Sequence, residues 1–347
     1  MLLLTGASGL VGSALRRRLI AAQVPIRCLV RDPRRLGEDR VRVQIALGDL
    51  ADPPSFRNAL RGVDTVIHLA ATIRDQPQGS IEELSGIATW RLGDAARRAG
   101  AERFVFFSAL GADTQSRARL LRAKALAEEA VRESEIPSIV FAPSIIYAPG
   151  DPYLTLLARL SLIPAVMPFS GRGRAQFAPI WVSDVADCVM AALAEPVANA
   201  RYELAGPDLL THEQIVRLAL RALVKRRALS HVPTPIVASA LRLTERVMGR
   251  RAFATWDEAE LMEVSMRSAT GTRDVQRLGV RPRAMASVLG LSCRAAGAGS
   301  AAPPARVHQP EPAAAPRRPA ARPAARRAED RPRPRTAAAR SPAGRSC

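Results

Sequence analysis

Met1-Leu-Leu-Leu-Thr-Gly-Ala-Ser-Gly-Leu-Val-Gly12 is the stretch whose reading decides the fold. The apolar run Leu2–Leu4 reads as a strand that breaks at Gly6 into a Gly6-x-x-Gly9-x-x-Gly12 turn. Val11, Leu15 and Leu19 then recur at helical spacing on one face. Strand, glycine turn and helix in that order predict a dinucleotide site. The glycines let the backbone turn tightly and approach a pyrophosphate, and the helix N-terminus offers it free N–H groups and a positive dipole end.

The rest of the chain supplies the alternation such a turn requires. Pro25–Val30 reads as a second strand, closed by Arg31-Asp32-Pro33, and Val41–Leu47 as a third, followed by Gly48-Asp49-Leu50. Asp52 and Pro53 mark a helix start, as an N-cap and a first-turn proline. Val63–Leu69 is a fourth strand, Ile81–Ala99 a helix, Arg103–Ser108 a fifth strand, Gln115–Glu135 a helix and Ser138–Ala142 a sixth strand. Strands alternating with helices predict an α/β fold, a doubly wound parallel sheet covered on both faces. Its ligands belong at the C-terminal strand ends, where the strand order reverses.

From about Pro149 the pattern loosens. The apolar run Tyr153–Phe169 reads as a buried helix, with an interfacial membrane contact as the sharper alternative. Gly171-Arg-Gly-Arg174 is a basic loop, Ser183 is the expected cap of the helix that follows, and Thr211 with Gln214 forms a capping box. Pro233–Val247 is expected to be helical. The domain expectation is a dinucleotide-binding part over 1–148, with return segments from about 175–205, and a smaller substrate-side part over 149–290. Residues 291–347 form an Ala/Pro/Arg-rich tail, expected to be disordered because it lacks the apolar side chains that offset ordering entropy.

Charge and cysteine usage narrow the function classes. Of the net +19, residues 291–347 carry +9, twelve arginines against three acids, which leaves +10 for the first 290 residues. The tail has no aromatic residues for base stacking, so it reads as a solvated extension and nucleic acid is not an expected partner. The basic remainder suits an anionic ligand or surface. Cys28, Cys188, Cys293 and Cys347 have neither metal spacing nor a disulfide pattern, which suits a reducing cytoplasm, and no metal is expected. No run of about 18 apolar residues predicts a membrane span.

A series of landmarks then resembles the extended and atypical short-chain dehydrogenase/reductases. They are Thr5–Gly12, Gly48-Asp49-Leu50, His68-Leu-Ala-Ala71, Phe107-Ser-Ala-Leu-Gly111, Arg122–Glu128, Pro143-Ser-Ile-Ile-Tyr147 and Trp181-Val-Ser-Asp184. Within that superfamily the chain is most similar to the branch of the nucleotide-binding accessory subunit of respiratory complex I and its bacterial relatives. The resemblance covers roughly residues 1–290 and implies a Rossmann-type sheet. It implies cofactor contacts at Thr5, Gly6, Ser8, Gly9, Leu10, Gly12, Arg31, Asp49, Leu50, Leu69, Ala70, Ala71, Lys124 and Pro143, with His68 on the pyrophosphate side. A respiratory-complex or membrane-surface partner, peripheral to the inner face of the membrane, is also implied.

The superfamily's chemistry uses Ser, Tyr and Lys: the tyrosine moves a proton, the lysine lowers its pKa and the serine positions a carbonyl. Ser108 and Lys124 match two of these. The tyrosine belongs four residues before the lysine, one helical turn away on the same face, and that residue is Leu120. Ser85 stands where Asn is common, and Ala142 and Ala148 replace a common Arg and Gly. Tyr147 is the candidate substitute acid, set against a plain packing role at the domain junction.

Nucleotide choice rests on the end of the second strand. Asp32 lies at the distance of an acid that binds the ribose of NAD, but its place before Pro33 reads as a turn initiator. Arg31, helped by Arg34 or Arg35, suits a 2′-phosphate, so NADP(H) is expected over NAD(H). Two functions follow. One is a nucleotide-binding protein with weak or no turnover. The other is an active reductase, epimerase or dehydratase acting on a small carbonyl, quinone-like or nucleotide-sugar substrate.

Overall fold

Leu2–Thr5 forms β1, the pivot of a seven-stranded parallel sheet, in a computed structural model that describes residues 1–162, 166–225, 227–248 and 255–291. After β1 come α1 (Leu10–Ala21), β2 (Ile26–Val30), β3 (Gln44–Leu47), α2 (Pro53–Phe56) and β4 (Thr65–His68). A π-helical turn, Glu83–Ile87, leads into α3 (Ala88–Arg98), followed by β5 (Arg103–Phe107), α4 (Arg119–Glu133) and β6 (Ser138–Pro143). The second part of the chain contains β7 (Ile146–Tyr147), α5 (Pro152–Leu160), β8 (Val166–Ser170), β9 (Gln176–Phe177) and β10 (Ile180–Trp181). It continues through α6 (Val182–Ala194), β11 (Ala200–Leu204), β12 (Leu210–Thr211), α7 (His212–Ala222), β13 (Ala228–Val232) and α8 (Thr234–Met248). The short helices α9 (Trp256–Leu261), α10 (Arg273–Arg277) and α11 (Met285–Val288) complete it.

The strand order β11-β6-β5-β4-β1-β2-β3 is the expected doubly wound sheet. The chain winds one way from β1 through β2 to β3, then crosses β1 to β4 and winds the other way. The crossover opens a crevice beyond the C-terminal ends of β1 and β4. Alternating residues feed two cores. Leu4, Cys28, Ile67 and Val105 pack against Leu15 and Leu19 of α1 and Val185 and Val189 of α6. Leu3, Val66, Phe104 and Phe106 pack against Leu92 of α3 and Ala127 and Val131 of α4. Each such fully buried large side chain contributes about 1.5–3 kcal/mol. A third core of Leu110, Leu121, Tyr147, Leu157, Phe177 and Leu220 joins the strand ends to the second part of the chain.

Several local expectations need correction. Tyr153–Phe169 is not one helix, because it holds two periods. Leu154 and Leu157 are buried three residues apart on α5, and Met167 and Phe169 two apart on β8, which pairs in parallel with the distant β13. Ser183 does not cap α6. Trp181 occupies the N-cap position, and the Ser183 hydroxyl instead accepts a hydrogen bond from Arg18 Nη2 at 3.0 Å. The helix expected from Gln115 begins at Arg119, since the Asp113 carboxylate accepts from the Gln115 N–H and holds a turn there. The Thr211–Gln214 capping box and the helix over 234–248 stand as expected. Beyond Leu291, the expected tail lies outside the described residues. Among those residues no helix is long and apolar enough to cross a membrane.

Candidate cofactor site

The glycine turn is shaped by close approach. Gly6 has φ +69°, and a Cβ there would stand 2.7 Å from the Ala70 nitrogen. At Gly12 a Cβ would meet the Gly6 carbonyl oxygen at 2.1 Å. These two positions admit only glycine, and they seat α1 directly on the end of β1 and β4. Gly9 is different: it caps α1 with no side chain to bond the first-turn N–H groups. Those N–H groups have no intrahelical acceptor and lie at the positive end of the helix dipole, as an anion requires.

In front of this turn lies an open cleft of about 650 Å³, within the size range of small-molecule and cofactor sites. Thr5, Gly6, Ser8 and Gly9 line one end, and Leu69, Ala70 and Ala71 line the wall from β4. Arg31, Asp49 and Leu50 stand at the ends of β2 and β3. Arg31 donates to Gln76 Oε1 at 3.0 Å and its Nη1 lies 3.9 Å from Asp49 Oδ2. Asp32 also lines the cleft, but its carboxylate accepts from the Arg34 N–H at 2.9 Å and so caps the turn that starts at Pro33. Arg35 lines the same end.

Sequence reasoning missed the opposite wall. Thr72, Gln76 and Gln78, from the loop between β4 and the π-helical turn, also border the cleft. Two arginines fix that loop to α9: Arg74 makes paired hydrogen bonds of 2.6 and 2.8 Å with Glu258, and Arg119 bridges Asp75, Glu82 and Asp257. The only local signal was a polar segment, Thr72–Ser80, between strand and helix.

The other expected site residues lie outside the cleft lining. Leu10 and Gly12 sit in the first turn of α1. Pro143 ends β6 and its carbonyl accepts from Leu110 N at 2.8 Å. Lys124 is buried; its Nζ donates to the Phe107 carbonyl at 2.5 Å and lies 4.8 Å from the centre of the Phe106 ring. Burial lowers its pKa to about 8, opposed by the nearby Glu128 carboxylate. The Ser108 hydroxyl donates to Glu128, whose other oxygen is 3.4 Å from Arg201 Nε. Leu120, one turn before Lys124, is half-buried against the third core. Tyr147 belongs to that core, 1% exposed, and its hydroxyl has no hydrogen-bond partner among the described residues. Burial drives that phenol's pKa upward, and the charges of Asp184 and Asp208 add to the effect. Ser85 lies within the π-helical turn and bonds the Thr72 backbone.

The expectation that His68 borders the pyrophosphate fails. Its ring is fully buried between the sheet and α3, with Nδ1 2.7 Å from Thr5 Oγ1 and Nε2 3.0 Å from Thr89 Oγ1. Burial lowers its pKa to about 3. The cleft wall is made instead by the residues after it, where the strand ends.

A family model described as NAD(P)H-binding matches residues 6–196. A ceramide reductase from Caulobacter vibrioides is 29% identical over 70% of this chain and 76% of its own. A mitochondrial NADH dehydrogenase [ubiquinone] 1 alpha subcomplex subunit 9 from Rattus norvegicus is 28% identical over 80% of this chain and 75% of its own. Among solved structures, an NADPH-dependent quinone oxidoreductase from Escherichia coli complexed with NADPH superposes with a TM-score of 0.67. That likeness covers 84% of this chain and 99% of the other at 18% identity, and establishes a common fold.

Proposed function

The chain belongs to the NAD(P)H-binding family, within the extended and atypical short-chain dehydrogenase/reductases, and on that footing we propose that it holds NADP(H) in preference to NAD(H) with weak or no turnover. The observation that carries this reading is the state of the proton-transfer position: Leu120 stands one turn before a Lys124 whose ammonium is spent on the Phe107 carbonyl. A leucine has no proton to give. Ser108 is tied to Glu128, and Tyr147 is sealed in an apolar core.

The cleft's own residues fit a dinucleotide. Gly9 and the first turn of α1 would take the pyrophosphate, Asp49 and Leu50 the adenine end, and Leu69, Ala70 and Ala71 the wall between. Arg31, with Arg35 beside it in the lining, would take a 2′-phosphate, while Asp32 is committed to its own turn. Bound NADP(H) supplies a hydride donor or acceptor. The likeness to the rat NADH dehydrogenase subunit supports an assembly role with a respiratory complex as partner.

The test begins with the nucleotide that copurifies with the native protein, and with titrations of NADPH and NADH. NADPH should bind more tightly. Replacing Arg31 with Ala should weaken NADPH about tenfold while moving NADH less than about twofold. Bound NADPH should stay reduced in the presence of quinones, small enones and nucleotide sugars, and Leu120→Tyr should gain measurable oxidation of one of them. Sustained oxidation by the unaltered protein would overturn the weak-turnover reading, and equal affinity for the two nucleotides the NADP(H) preference.

A further inference from the structure

Helix α8 carries apolar side chains on both faces. Ala238 and Leu241 point inward, each 8% exposed. On the opposite side Ile236, Ala240, Leu243 and Val247 follow one another at spacings of four, three and four residues, one continuous helical stripe. Ile236, Leu243 and Val247 are 60%, 62% and 76% exposed. A surface helix of a globular protein ordinarily turns a polar face outward; α8 does the reverse. Arg242 and Arg246 are exposed along one flank of the stripe. Glu245, the helix's one acid, is turned away and accepts the Trp256 N–H at 2.5 Å. The outward face is therefore apolar with a cationic border.

We propose that this face lies on an anionic lipid bilayer, with the stripe at the boundary of headgroups and acyl chains and Arg242 and Arg246 at the phosphates. Helices that rest in a membrane interface combine these two features, and both terms add to their affinity. The charge of the rest of the chain matches: the first 290 residues carry +10. A second copy fits less well. One stripe of four side chains falls far short of the roughly 800 Å² per partner of a stable interface, and pairing two such faces would crowd like-charged arginines.

Flotation of the full-length protein with vesicles tests this, using phosphatidylcholine alone and a mixture with roughly one-third phosphatidylglycerol. The arginine-rich tail will also attract anionic vesicles, so the decisive measurement is made near 1 M salt, where the screening length is about 3 Å. Binding to the anionic vesicles that persists there, and falls about tenfold in Leu243→Asp, is expected. Val247→Asp should behave alike. At about 0.1 M salt the pair Arg242→Gln, Arg246→Gln should weaken binding to the phosphatidylglycerol mixture while leaving binding to phosphatidylcholine alone unchanged, the tail's own attraction being common to both proteins. All three variants alter exposed side chains, so nucleotide binding and helical content should be unchanged and exclude misfolding. Failure to float, binding that Leu243→Asp leaves intact, or a dimer that forms through this face without vesicle binding would each overturn the proposal.

Discussion

His68 shows how one buried side chain can organise a site it does not touch. Thr89 Oγ1 donates to the Ser85 carbonyl at 2.7 Å, so it has a lone pair rather than a proton for His68 Nε2. The imidazole is then the neutral Nε2–H form, and Nδ1 accepts from the Thr5 hydroxyl. Thr5 stands at the mouth of the cleft, so the ring fixes the end of β1 against the start of α3. This arrangement has a pH cost of definite sign. With a folded pKa of about 3 and an ordinary value of 6.5, the unfolded chain binds the extra proton between those values. The stabilisation from neutral His68 is therefore complete above pH 6.5 and is lost as pH falls toward 3. At pH 5 the loss is about 2 kcal/mol. Urea titrations of the unaltered protein and of His68→Gln at pH 7 and pH 5 read it directly. The unaltered protein should lose about 2 kcal/mol more across that step, and equal losses would refute a neutral buried ring.

Elements differ in how much of themselves they write locally. The first strand, glycine turn and helix are legible because their constraint is short-range. Gly6 and Gly12 are demanded by atoms within a few residues or by the neighbouring strand end. The roles of Gly12 and Gly9 separate on substitution. Gly12→Ala drives a Cβ into the Gly6 carbonyl, which should cost on the order of 2 kcal/mol and abolish nucleotide binding. At Gly9 the same change meets the Gly6 carbonyl at 3.3 Å, a tight contact but far short of the clash at Gly12, so the melting temperature should fall much less than in Gly12→Ala while nucleotide affinity falls. Thermal unfolding and nucleotide titration of the two variants distinguish a packing glycine from a binding one; identical losses in both would contradict the assignment. The split of Tyr153–Phe169 into α5 and β8 was not legible, because what makes Val166–Ser170 a strand is β13, some sixty residues later. The π-helical turn at Glu83–Ile87 likewise interrupts what reads as an unbroken helical period.

At the scale of the whole molecule, the illegible half of the cleft is the half built by long-range charge. Strand ends carry Thr5, Arg31, Asp49 and Ala70 to the crevice by topology alone, and topology follows from alternation. The loop bearing Thr72, Gln76 and Gln78 is positioned instead by Arg119, which meets Asp75 across 44 residues and Asp257 across 138, and by Arg74 on Glu258. No periodicity announces such partners. The pairs are half-buried except at Asp75, so each clamp contributes on the order of 1–2 kcal/mol, and its larger effect is on where the loop stands. Arg119→Met should accordingly lower overall stability by about 1–2 kcal/mol, because Asp75, Glu82 and Asp257 lose the guanidinium they share. It should strip hydrogen-exchange protection from Thr72–Gly79 and from α9 together, and it should weaken nucleotide binding, because Gln76 holds Arg31 at the cleft. High salt should reproduce part of this in the unaltered protein by screening the network. Loss of protection in the loop without loss in α9 would mean that the two are held independently, and that the cleft is insulated from the second part of the chain.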